Sequence, residues 1–354
     1  MSNQIRLGIV GLGRAGWGMH TEELKGKEDK YKFVAACDII PERVEKMKEK
    51  YGCKGYDNID ALIADPDVEI VDIATRSCDH FEHAAKALRA GKDVLIEKPI
   101  SLSYSQAKEL FDMSNKKNGP KLYVRHNRRF ETVFNEVKNT INSGVLGNVF
   151  EINITQGSFQ HRDDWQTISE FGGGQLLNWG PHIIDHALRL LGSPLEKISG
   201  ELKQVTAGGD CEDHVVIRLE SENKRTVNLT ISGALALNSG RKFTVYGDRG
   251  TMICNDFDIK MRYINPEQEI PPVVSDPGTP GASFGASGTF ASGTQLDWIE
   301  KEYKAPDEDL SVIWDYMYES YRNGAEYPIK DSEALEVMKV ATEIRKGTKF
   351  DFYK

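Results

Sequence analysis

Long hydrophobic runs and an excess of basic residues are both missing from this sequence. No segment reaches the roughly 18 consecutive apolar residues that a membrane-spanning helix needs. The first residues, MSNQIRLGIVGLG, lead straight into a strand pattern without the apolar core of a signal peptide. Asp and Glu (54) outnumber Lys and Arg (45), the formal net charge is -9, and no basic cluster stands out. We therefore expect a cytoplasmic protein that binds neither membranes nor nucleic acids.

Cysteine pairs and internal repeats are missing as well. The five cysteines are an odd number, without the C-x-x-C spacing of zinc and redox motifs, and no repeat of solenoid length is visible. With 39% hydrophobic and 28% charged residues over 354 positions, the chain is globular and long enough for two domains. The cysteines that we expect to be reduced thiols are Cys37, Cys53, Cys78, Cys211 and Cys254.

The first part of the chain alternates between strand and helix patterns. Buried strands are predicted at IRLGIVG, KFVAACD, VEIVDIAT and DVLIEKP, with helices such as PERVEKMKEKYG and HFEHAAKALRAG between them. Parallel strands need crossover connections, and helical crossovers cover both faces of the sheet. This part is therefore predicted to be an α/β domain with a doubly wound parallel sheet.

A glycine-rich turn follows the first predicted strand. Gly11, Gly13 and Gly16 occupy the three positions of the dinucleotide-binding pattern G-x-G-x-x-G. The pattern alone could be a tight turn, but a strand precedes it, a helix follows it, and Asp38 ends the next strand. Gly13 would let the backbone approach a pyrophosphate, and Asp38 would accept hydrogen bonds from a ribose. The residues between the glycines that share this predicted site are Leu12, Arg14 and Ala15.

The residues after the second strand favour NAD over NADP. Asp38 would repel a 2′-phosphate, and the following Ile39 and Ile40 offer it no positive charge. Arg43 on the next predicted helix could reach a phosphate, although a place on the helix surface is the simpler interpretation. We predict NAD as the cofactor and no metal ion.

From about residue 145 the pattern changes to polar and apolar residues that alternate at strand spacing. Turn residues separate the segments, so a mostly antiparallel sheet is expected, with one face available for covering or pairing. The predicted strands are NVFEINITQG, EKISGELKQVT, DHVVIRLE, KRTVNLTISG and RKFTVYGDRG.

The C-terminal part begins with residues 271–293, which are rich in Gly, Ser and Pro. Their lack of periodicity predicts a long surface loop, either a flexible insertion or a lid. The segments SVIWDYMYESYRNG and DSEALEVMKVATEIRKG then predict two amphipathic helices, the second capped by Asp331 or Ser332.

The segment GGGQLLNWGPHIIDHALRLLG places polar residues at helical spacing behind a glycine turn. An apolar face predicts a helix with Pro181 in its first turn and Gly192 as its cap. The opposite, polar face would meet solvent or a functional site, and it carries His182, Asp185, His186 and Arg189. The two histidines have the spacing of zinc helices, but Ile183 stands where a metalloprotease has Glu. Spacing alone leaves a catalytic stripe and a solvated face with a salt bridge both open.

Three segments together resemble one enzyme family. GIVGLGRAG, HFEHAAKALRAGKDVLIEKPIS and GGGQLLNWGPHIIDHALRLLG follow one another as they do in the Gfo/Idh/MocA oxidoreductases, the glucose-fructose oxidoreductase and inositol dehydrogenase family. The most specific part is Glu97-Lys98-Pro99 after a Rossmann strand, combined with the downstream G-x-H-x-x-D pattern. The resemblance implies an N-terminal Rossmann domain over residues 1–122. It also implies a substrate-binding and oligomerisation domain over 123–354, an α+β unit with a large open sheet whose last helices can pack back on the first domain, and a homodimer or homotetramer.

The family transfers hydride between NAD(P) and a secondary hydroxyl, usually of a sugar or polyol, so the resemblance implies roles for individual residues. Lys98 matches the lysine beside the nicotinamide, and His182 matches the histidine that reaches the reacting hydroxyl from the other domain. A base must take the hydroxyl proton while the hydride leaves, and burial should lower the pKa of Lys98 toward that task. Asn178 stands where the family most often has Asp, and an amide there leaves His182 neutral.

The resemblance also places further residues along the cleft. Surface salt bridges and one packing tryptophan remain the alternative interpretation for several of them. The additional cofactor-binding candidates are Thr75, His80, Glu97 and Asn127. The substrate-binding candidates, besides Asn178 and His182, are Arg128, Arg129, Arg162, Asp164, Trp165 and Asp185.

Three functions remain open from the sequence. The first is an NAD-dependent dehydrogenase that acts on a secondary hydroxyl of a sugar, glycoside or polyol. The second is an enzyme that retains NAD and oxidises a sugar transiently, for glycoside cleavage or redox exchange between sugars. The third is a non-catalytic ligand sensor, against which Lys98 and His182 argue.

Overall fold

The structure is a computed structural model that describes residues 3–117, 119–237, 240–275, 277 and 294–353. Residues 271–275 and 277 have no regular secondary structure, and the rest of the loop predicted at 271–293 lies outside the described residues. None of the helices within the described ranges is long and apolar enough to cross a membrane.

The N-terminal part forms the predicted parallel sheet with helical crossovers. Its six strands are ordered β3-β2-β1-β4-β5-β6, and every pair is parallel. The two strands that the sequence patterns did not indicate, β3 and β6, have only three residues each. The strands are β1 (Ile5–Val10), β2 (Tyr31–Cys37), β3 (Lys54–Tyr56), β4 (Ile70–Ile73), β5 (Asp93–Ile96) and β6 (Leu122–Val124).

Helices on both faces bury this sheet, as the continuous apolar strands require. Local signals define the ends of these helices. The helix at Pro41–Tyr51 (α2) has Pro41 in its first turn and ends at Gly52 in the left-handed conformation. The helix at Ile59–Ala64 (α3) is capped by Asn58, whose side chain accepts the Ala61 N–H at 2.9 Å. The helices are α1 (a π-helical turn, Gly16–His20, continued by Thr21–Glu23), α2 (Pro41–Tyr51), α3 (Ile59–Ala64), α4 (His80–Arg89) and α5 (Tyr104–Ser114).

The second part is built on an eight-stranded sheet in the order β14-β13-β12-β11-β7-β10-β9-β8. Every neighbouring pair is antiparallel except β7 and β10, which run parallel, so the predicted mostly antiparallel open sheet is confirmed. The strands are β7 (Val149–Gly157), β8 (Leu195–Lys203), β9 (His214–Ser221), β10 (Thr226–Ser232), β11 (Phe243–Gly247), β12 (Gly250–Cys254), β13 (Asp258–Ile264) and β14 (Trp298–Lys304).

Helices cover one face of the large sheet and link it to the first domain. Residues such as Ile183 and Ile184 pack in a core with Ile152, Ile217 and Leu229 from the strands. The remaining helices are α6 (Thr132–Asn142), α7 (Gln175–Asn178), α8 (Gly180–Leu190), α9 (Val312–Asn323) and α10 (Asp331–Arg345).

The two C-terminal helices reach the N-terminal core. Ile313, Trp314 and Met317 of α9 are buried in the hydrophobic cluster that surrounds the Rossmann sheet. The caps predicted for α10, Asp331 or Ser332, were wrong by one and two residues, because α10 begins at Asp331 and Lys330 is its N-cap. The backbone N–H of Lys330 donates to the Glu333 carboxylate at 3.3 Å, so the acidic side chain three residues on serves the helix start.

Candidate active site

The glycine turn between β1 and α1 is held so closely against its neighbours that two of its glycines admit no side chain. Gly11 has φ +92°, and a Cβ there would lie 2.6 Å from the carbonyl oxygen of Ala74. A Cβ on Gly16 would lie 2.0 Å from the carbonyl oxygen of Gly11. At Gly13, by contrast, an added Cβ would meet no described atom within 4 Å. The turn is thus packed on its inner side and open at Gly13, which fits close approach of a pyrophosphate.

Asp38 lies directly after β2 and connects it to this turn. Its carboxylate accepts the N–H of Leu12 at 2.6 Å and that of Ile40 at 2.9 Å, and only 8% of the residue is exposed. The Arg43 guanidinium lies 3.5 Å away. The acidic group is therefore fixed beside the glycine turn, in the position from which the Rossmann fold contacts a ribose.

Lys98 and Asn178 meet across the boundary between the two domains. Lys98 follows β5, and its Nζ donates to the main-chain oxygen of Asn178 at 2.9 Å and lies 3.4 Å from the Asn178 side-chain oxygen. The peptide bond between Lys98 and Pro99 is cis. Leu177 packs in the first core while Leu176 packs in the second, so α7 straddles the boundary and presents Asn178 to the lysine.

The surroundings of Lys98 favour its neutral amine. Burial lowers the pKa of Lys98 to about 8, and the nearby guanidinium groups of Arg128, Arg14 and Arg125 act in the same direction. The Glu97 carboxylate opposes them. The lysine is thereby close to titration at neutral pH, as a group that accepts a proton from a hydroxyl needs to be.

Three consecutive glycines make the sharp turn that precedes α7. Gly172 and Gly174 have φ of +75° and +100°, which glycine adopts readily. A Cβ on Gly172 would lie 2.7 Å from the Ser77 side chain of the first domain, and one on Gly174 would lie 2.3 Å from the Glu212 carboxylate. The turn is thus pressed between the two domains, and this contact determines where Asn178 and His182 lie.

His182 is 6% exposed, near the start of α8, and its Nδ1 has no hydrogen-bond partner among the described residues. Burial holds the pKa of His182 well below its usual range, and the positive charges of Lys98 and Arg128 lower it further. His126, which the sequence reasoning did not single out, faces His182, and burial lowers its pKa to about 4. The histidine is therefore a neutral imidazole beside the lysine.

The polar face of α8 does not meet solvent, which was one of the two alternatives that the sequence left open for it. Asp185 is 1% exposed and His186 is fully buried, because the turn at Asn127–Phe130 covers this side of the helix. Arg129 from that turn pairs with Asp185, with Nε and the carboxylate 2.9 Å apart. His186 stacks on Phe134 at 4.1 Å and its Nε2 donates to the Arg128 carbonyl at 2.8 Å. A salt bridge and ring packing therefore occupy these side chains.

The remaining substrate candidates lie near the cleft in two groups. The Arg128 guanidinium stacks over the Trp179 ring at 4.5 Å, close enough to Lys98 and His182 to lower the pKa of both. Arg162 pairs with Asp164 at 2.6 Å, and Asp164 caps the short helical turn that begins at Trp165, which is half-buried. A recess beside Asn178 includes Arg162 in its lining but not Asp164 or Trp165.

The other cofactor candidates support the cleft from the first domain. The His80 ring is buried, and its nitrogens lie 2.6 Å from the Pro99 carbonyl oxygen and 3.2 Å from that of Thr75. The Thr75 hydroxyl contacts His83 at 3.2 Å. Asn127 is buried at the start of the turn that carries Arg128. Glu97, also buried, accepts the N–H of Lys98 at 3.1 Å.

Glu212 is a second site residue that the sequence reasoning missed. Its carboxylate accepts the N–H of Leu176 at 2.9 Å, and its carbonyl oxygen accepts the N–H of Gln175 at 3.1 Å. Burial raises the pKa of this carboxyl to about 7. Glu212 holds the start of α7 in place and lines the recess with Gln175, whose side-chain oxygen has no partner in the described part of the chain. The only sequence signal was an acidic pair, Glu212-Asp213, before a strand.

The described ranges offer no cluster of metal ligands. They contain no group of three or more His, Cys, Asp or Glu side chains that could hold a metal ion. His186 is engaged with Phe134 and the Arg128 carbonyl, so the helical spacing of the histidines has a packing explanation.

The comparison with protein families covers most of the chain. Residues 5–126 match the family described as "Oxidoreductase family, NAD-binding Rossmann fold", and residues 134–253 match the "GFO/IDH/MocA C-terminal domain". The two matched ranges contain the glycine turn, Lys98, Asn178 and His182.

Two relatives have similar sequences, and one solved structure has a similar fold. The chain is 30% identical to myo-inositol 2-dehydrogenase of Thermotoga maritima over 69% of this chain and 70% of the relative. It is 23% identical to scyllo-inositol 2-dehydrogenase (NADP(+)) IolW of Bacillus subtilis over 98% of this chain and 94% of the relative. The crystal structure of an NAD-binding protein from Listeria innocua superposes with a TM-score of 0.79 at 24% identity, covering 96% and 94% of the two chains.

Proposed function

The chain belongs to the Gfo/Idh/MocA family of NAD-binding oxidoreductases, and we propose that it transfers hydride between NAD and a secondary hydroxyl of a sugar, glycoside or polyol. One observation carries the proposal: Lys98 and Asn178, from different domains, meet 2.9 Å apart, with His182 one helical turn beyond Asn178. The two inositol dehydrogenases among the relatives support a polyol as the substrate class.

The residues of the glycine turn fit a dinucleotide. Gly13 leaves open space on the turn, and the Asp38 carboxylate is fixed next to Leu12. Bound NAD supplies the hydride acceptor at its nicotinamide ring. We propose NAD in preference to NADP because the fixed Asp38 charge repels a 2′-phosphate. The relative named as an NADP(+) enzyme shows that both cofactors occur among similar chains, so this preference needs its own measurement.

In the proposed reaction, protein side chains accept the proton that leaves the substrate hydroxyl and orient that hydroxyl. As a neutral amine, Lys98 Nζ keeps two N–H bonds for the oxygens of Asn178 and turns its lone pair toward the substrate hydroxyl, from which it takes the proton. The neutral imidazole of His182 orients the same hydroxyl from the second domain. Asn178 holds the lysine without adding a charge.

The proposal is tested with a panel of sugars, glycosides and polyols that includes myo-inositol and scyllo-inositol. Purified protein is incubated with each compound and with NAD or NADP, and formation of the reduced cofactor is followed by absorbance. We expect turnover with at least one secondary alcohol and a higher kcat/KM with NAD. Equal kcat/KM for the two cofactors would contradict the assignment of Asp38. A protein that binds NAD but reduces it with no member of the panel would contradict the dehydrogenase assignment.

The same protein preparation distinguishes an enzyme that exchanges its cofactor from one that retains it. After free nucleotide has been removed, the absorbance and fluorescence of the protein are compared with those of NADH. We expect no retained NADH, because an exchangeable cofactor is part of the proposed reaction. A stoichiometric NADH signal that stays with the protein would instead support transient oxidation of a sugar.

A further inference from the structure

A buried set of charged side chains lies directly behind Lys98, and the proposed reaction does not use it. We call it the buried charge cluster. Its side chains are between 0% and 16% exposed, although burying a charge is unfavourable unless the charge is paired. Its members are His20, Glu23, Asp72, Glu97 and Arg125.

His20 is at the centre of the buried charge cluster. Its Nδ1 lies 2.8 Å from the Asp72 carboxylate and its Nε2 lies 3.0 Å from the Glu97 carboxylate. An ionised carboxylate only accepts hydrogen bonds, so both ring nitrogens carry protons and His20 is an imidazolium. Burial alone would lower the pKa of His20, but Asp72 and Glu97 raise it to about 9.

Glu97 connects His20 to Lys98. One carboxylate oxygen of Glu97 is shared by His20 and by the Arg125 guanidinium, and the other accepts the backbone N–H of Lys98 at 3.1 Å. Burial alone would raise the pKa of Glu97, but Arg125 and His20 hold it well below its usual range. The Glu97 carboxylate is therefore charged and fixed at both ends, one of which is the main chain of the catalytic lysine.

The cluster is closed on its far side by the C-terminal helix α9. The Trp314 ring meets the His20 ring edge-on at 5.4 Å, and Trp314 Nε1 donates to Glu23 at 2.8 Å. Arg125 pairs with Glu23 as well as with Glu97. Among the described residues Asp72 Oδ1 and Arg125 Nε have no hydrogen-bond partner, so the paired atoms named above are the contacts that hold the charges in place.

The charges that act on Lys98 come from several parts of the chain. Glu97 is the nearby anion, whereas Arg14 from the glycine turn, Arg125 after β6 and Arg128 from the second domain are cations. His182 faces the lysine as a neutral imidazole. If His20 lost its charge, the negative charges of Asp72 and Glu97 would be compensated less well, and they would favour the ammonium form of Lys98.

We propose that His20 is a positioning residue for Lys98: its imidazolium fixes the Glu97 carboxylate and compensates the negative charge behind the lysine, so that Lys98 is available as an amine. The role of that amine rests on the proposed function, whereas the effect of His20 on Lys98 can be measured without any substrate. The residue acts through Glu97 and does not touch the reacting atoms.

The test compares His20→Gln with a double variant of matched charge. In His20→Gln the side-chain amide can still donate to Glu97, but the positive charge is lost. In His20→Gln/Asp72→Asn one cation and one anion are both removed, so the net charge of the cluster equals that of the native protein. Lys86→Gln is the control, since it removes an exposed cation from the Lys86–Asp60 pair on another surface.

The readout is the pH dependence of Lys98 acylation by trace acetic anhydride on the full-length protein, quantified by peptide mass spectrometry. The native midpoint is expected near the Lys98 pKa of about 8. His20→Gln should raise the midpoint by about one pH unit and slow acylation at neutral pH about tenfold, because a tenfold smaller fraction is amine. The double variant should return the midpoint to the native value, and Lys86→Gln should leave it there. A folded His20→Gln protein with an unshifted midpoint would overturn the proposal, as would a double variant that stays shifted.

A measurement on the native protein covers the case in which His20→Gln does not fold. Histidines with ordinary pKa values are neutral at pH 8, so nitrogen NMR of the protein labelled at its eight histidines should show one imidazolium at that pH. Its absence would overturn the proposal. Acylation and NMR do not involve turnover, so they give the same answer even if no alcohol is oxidised. Once a substrate is known, the acidic limb of kcat/KM in His20→Gln should shift with the acylation midpoint.

Discussion

Lys98 is the residue on which the proposed chemistry depends most directly. We expect Lys98→Ala to lower kcat by about a hundredfold to ten-thousandfold, the usual cost of losing a general base. NAD binding should stay within a few-fold of native, because the glycine turn and Asp38 contact the other half of the cofactor. Steady-state kinetics and NAD titration by fluorescence test both parts. Near-native turnover of Lys98→Ala on its substrate would contradict the assigned role.

The charge of the side chain at position 178 affects the pKa values of Lys98 and His182. In Asn178→Asp a carboxylate would replace the amide whose oxygen lies 3.4 Å from Lys98 Nζ, and it should raise the pKa values of Lys98 and His182 by about one to three units. Alcohol oxidation needs the unprotonated base, so the acidic limb of kcat/KM should move to higher pH by a similar amount. Asn178→Ala, which adds no charge, is the matched control and should leave the limb in place. An unshifted limb in a folded, NAD-binding Asn178→Asp protein would separate Asn178 from the acid-base chemistry.

Residue types at fixed spacing made part of this site predictable. Gly11, Lys98 and His182 belong to motifs that are recognisable in the sequence, and the structure brings Lys98 and the segment of His182 together. His20 and Asp72 were not predictable, because a histidine in a helix and an aspartate in an apolar strand become partners only through tertiary packing. Glu212 was missed for the same reason, since its contact with the turn at Gly174, before α7, depends on long-range folding.

At the scale of elements, the glycine turn between β1 and α1 has a packed side at Gly11 and an open side at Gly13, where NAD is proposed to bind. Gly13→Ala adds a methyl group where no described atom lies within 4 Å, so the melting temperature should stay close to native. The methyl group enters the space proposed for the pyrophosphate, and the NAD dissociation constant should increase at least about tenfold, a difference of about 1.4 kcal/mol. Thermal melting and NAD titration measure the two effects.

Gly11→Ala provides the contrasting variant in the same turn. Its Cβ would lie 2.6 Å from the Ala74 carbonyl oxygen at a φ of +92°, so strain of about 1–3 kcal/mol or more is expected in the folded state. The melting temperature should fall even without NAD. If Gly13→Ala lost more stability than Gly11→Ala, the division of the turn into packed and open sides would be incorrect.

Secondary structure was predictable for most of the longer patterned segments, although β12, β13 and β14 were not predicted and β13 alternates buried and exposed residues. The strands β1, β7 and β10 and the helices α2, α4, α9 and α10 all lie within the segments whose apolar patterns predicted them, and β2 begins one residue before its segment. The short β3 and β6 were not indicated, because three residues carry no period. For the polar face of α8 the sequence left solvent and a functional site both open, since periodicity shows which residues share a face but not that a second element covers it.

At the scale of the whole molecule, a charge pair ties α8 to distant segments. Arg129 contacts Asp185, the carbonyl oxygen of Pro328 at 3.0 Å, and Glu333 in the first turn of α10. Arg129→Met would remove the hydrogen-bonded partner of Asp185, which is 1% exposed, and leave only the more distant Arg189, whose Nε lies 3.9 Å away. Because a buried charge that loses its hydrogen-bonded partner is strongly unfavourable, the free energy of unfolding should fall by up to about 3–5 kcal/mol.

Equilibrium urea unfolding measures this loss. The double variant Arg129→Met/Asp185→Asn removes both charges and should recover a substantial part of it, since no uncompensated charge remains buried. A single variant as stable as the native protein would mean that Arg129 and Asp185 are not coupled in solution.

The helix α10 contributes side chains to both hydrophobic cores, and this affects how the protein unfolds. Ala334 and Met338 on this helix belong to the first core, while Val337 and Val340 belong to the second, so neither core is complete without it. Unfolding of either half therefore exposes apolar side chains of the other half to solvent. Calorimetry of the native protein should record one endotherm with equal calorimetric and van't Hoff enthalpies. Two separated endotherms would show that the halves come apart independently. Replacing Val337 by Asp should lower the temperature at which both halves melt, although only one of them contains that side chain.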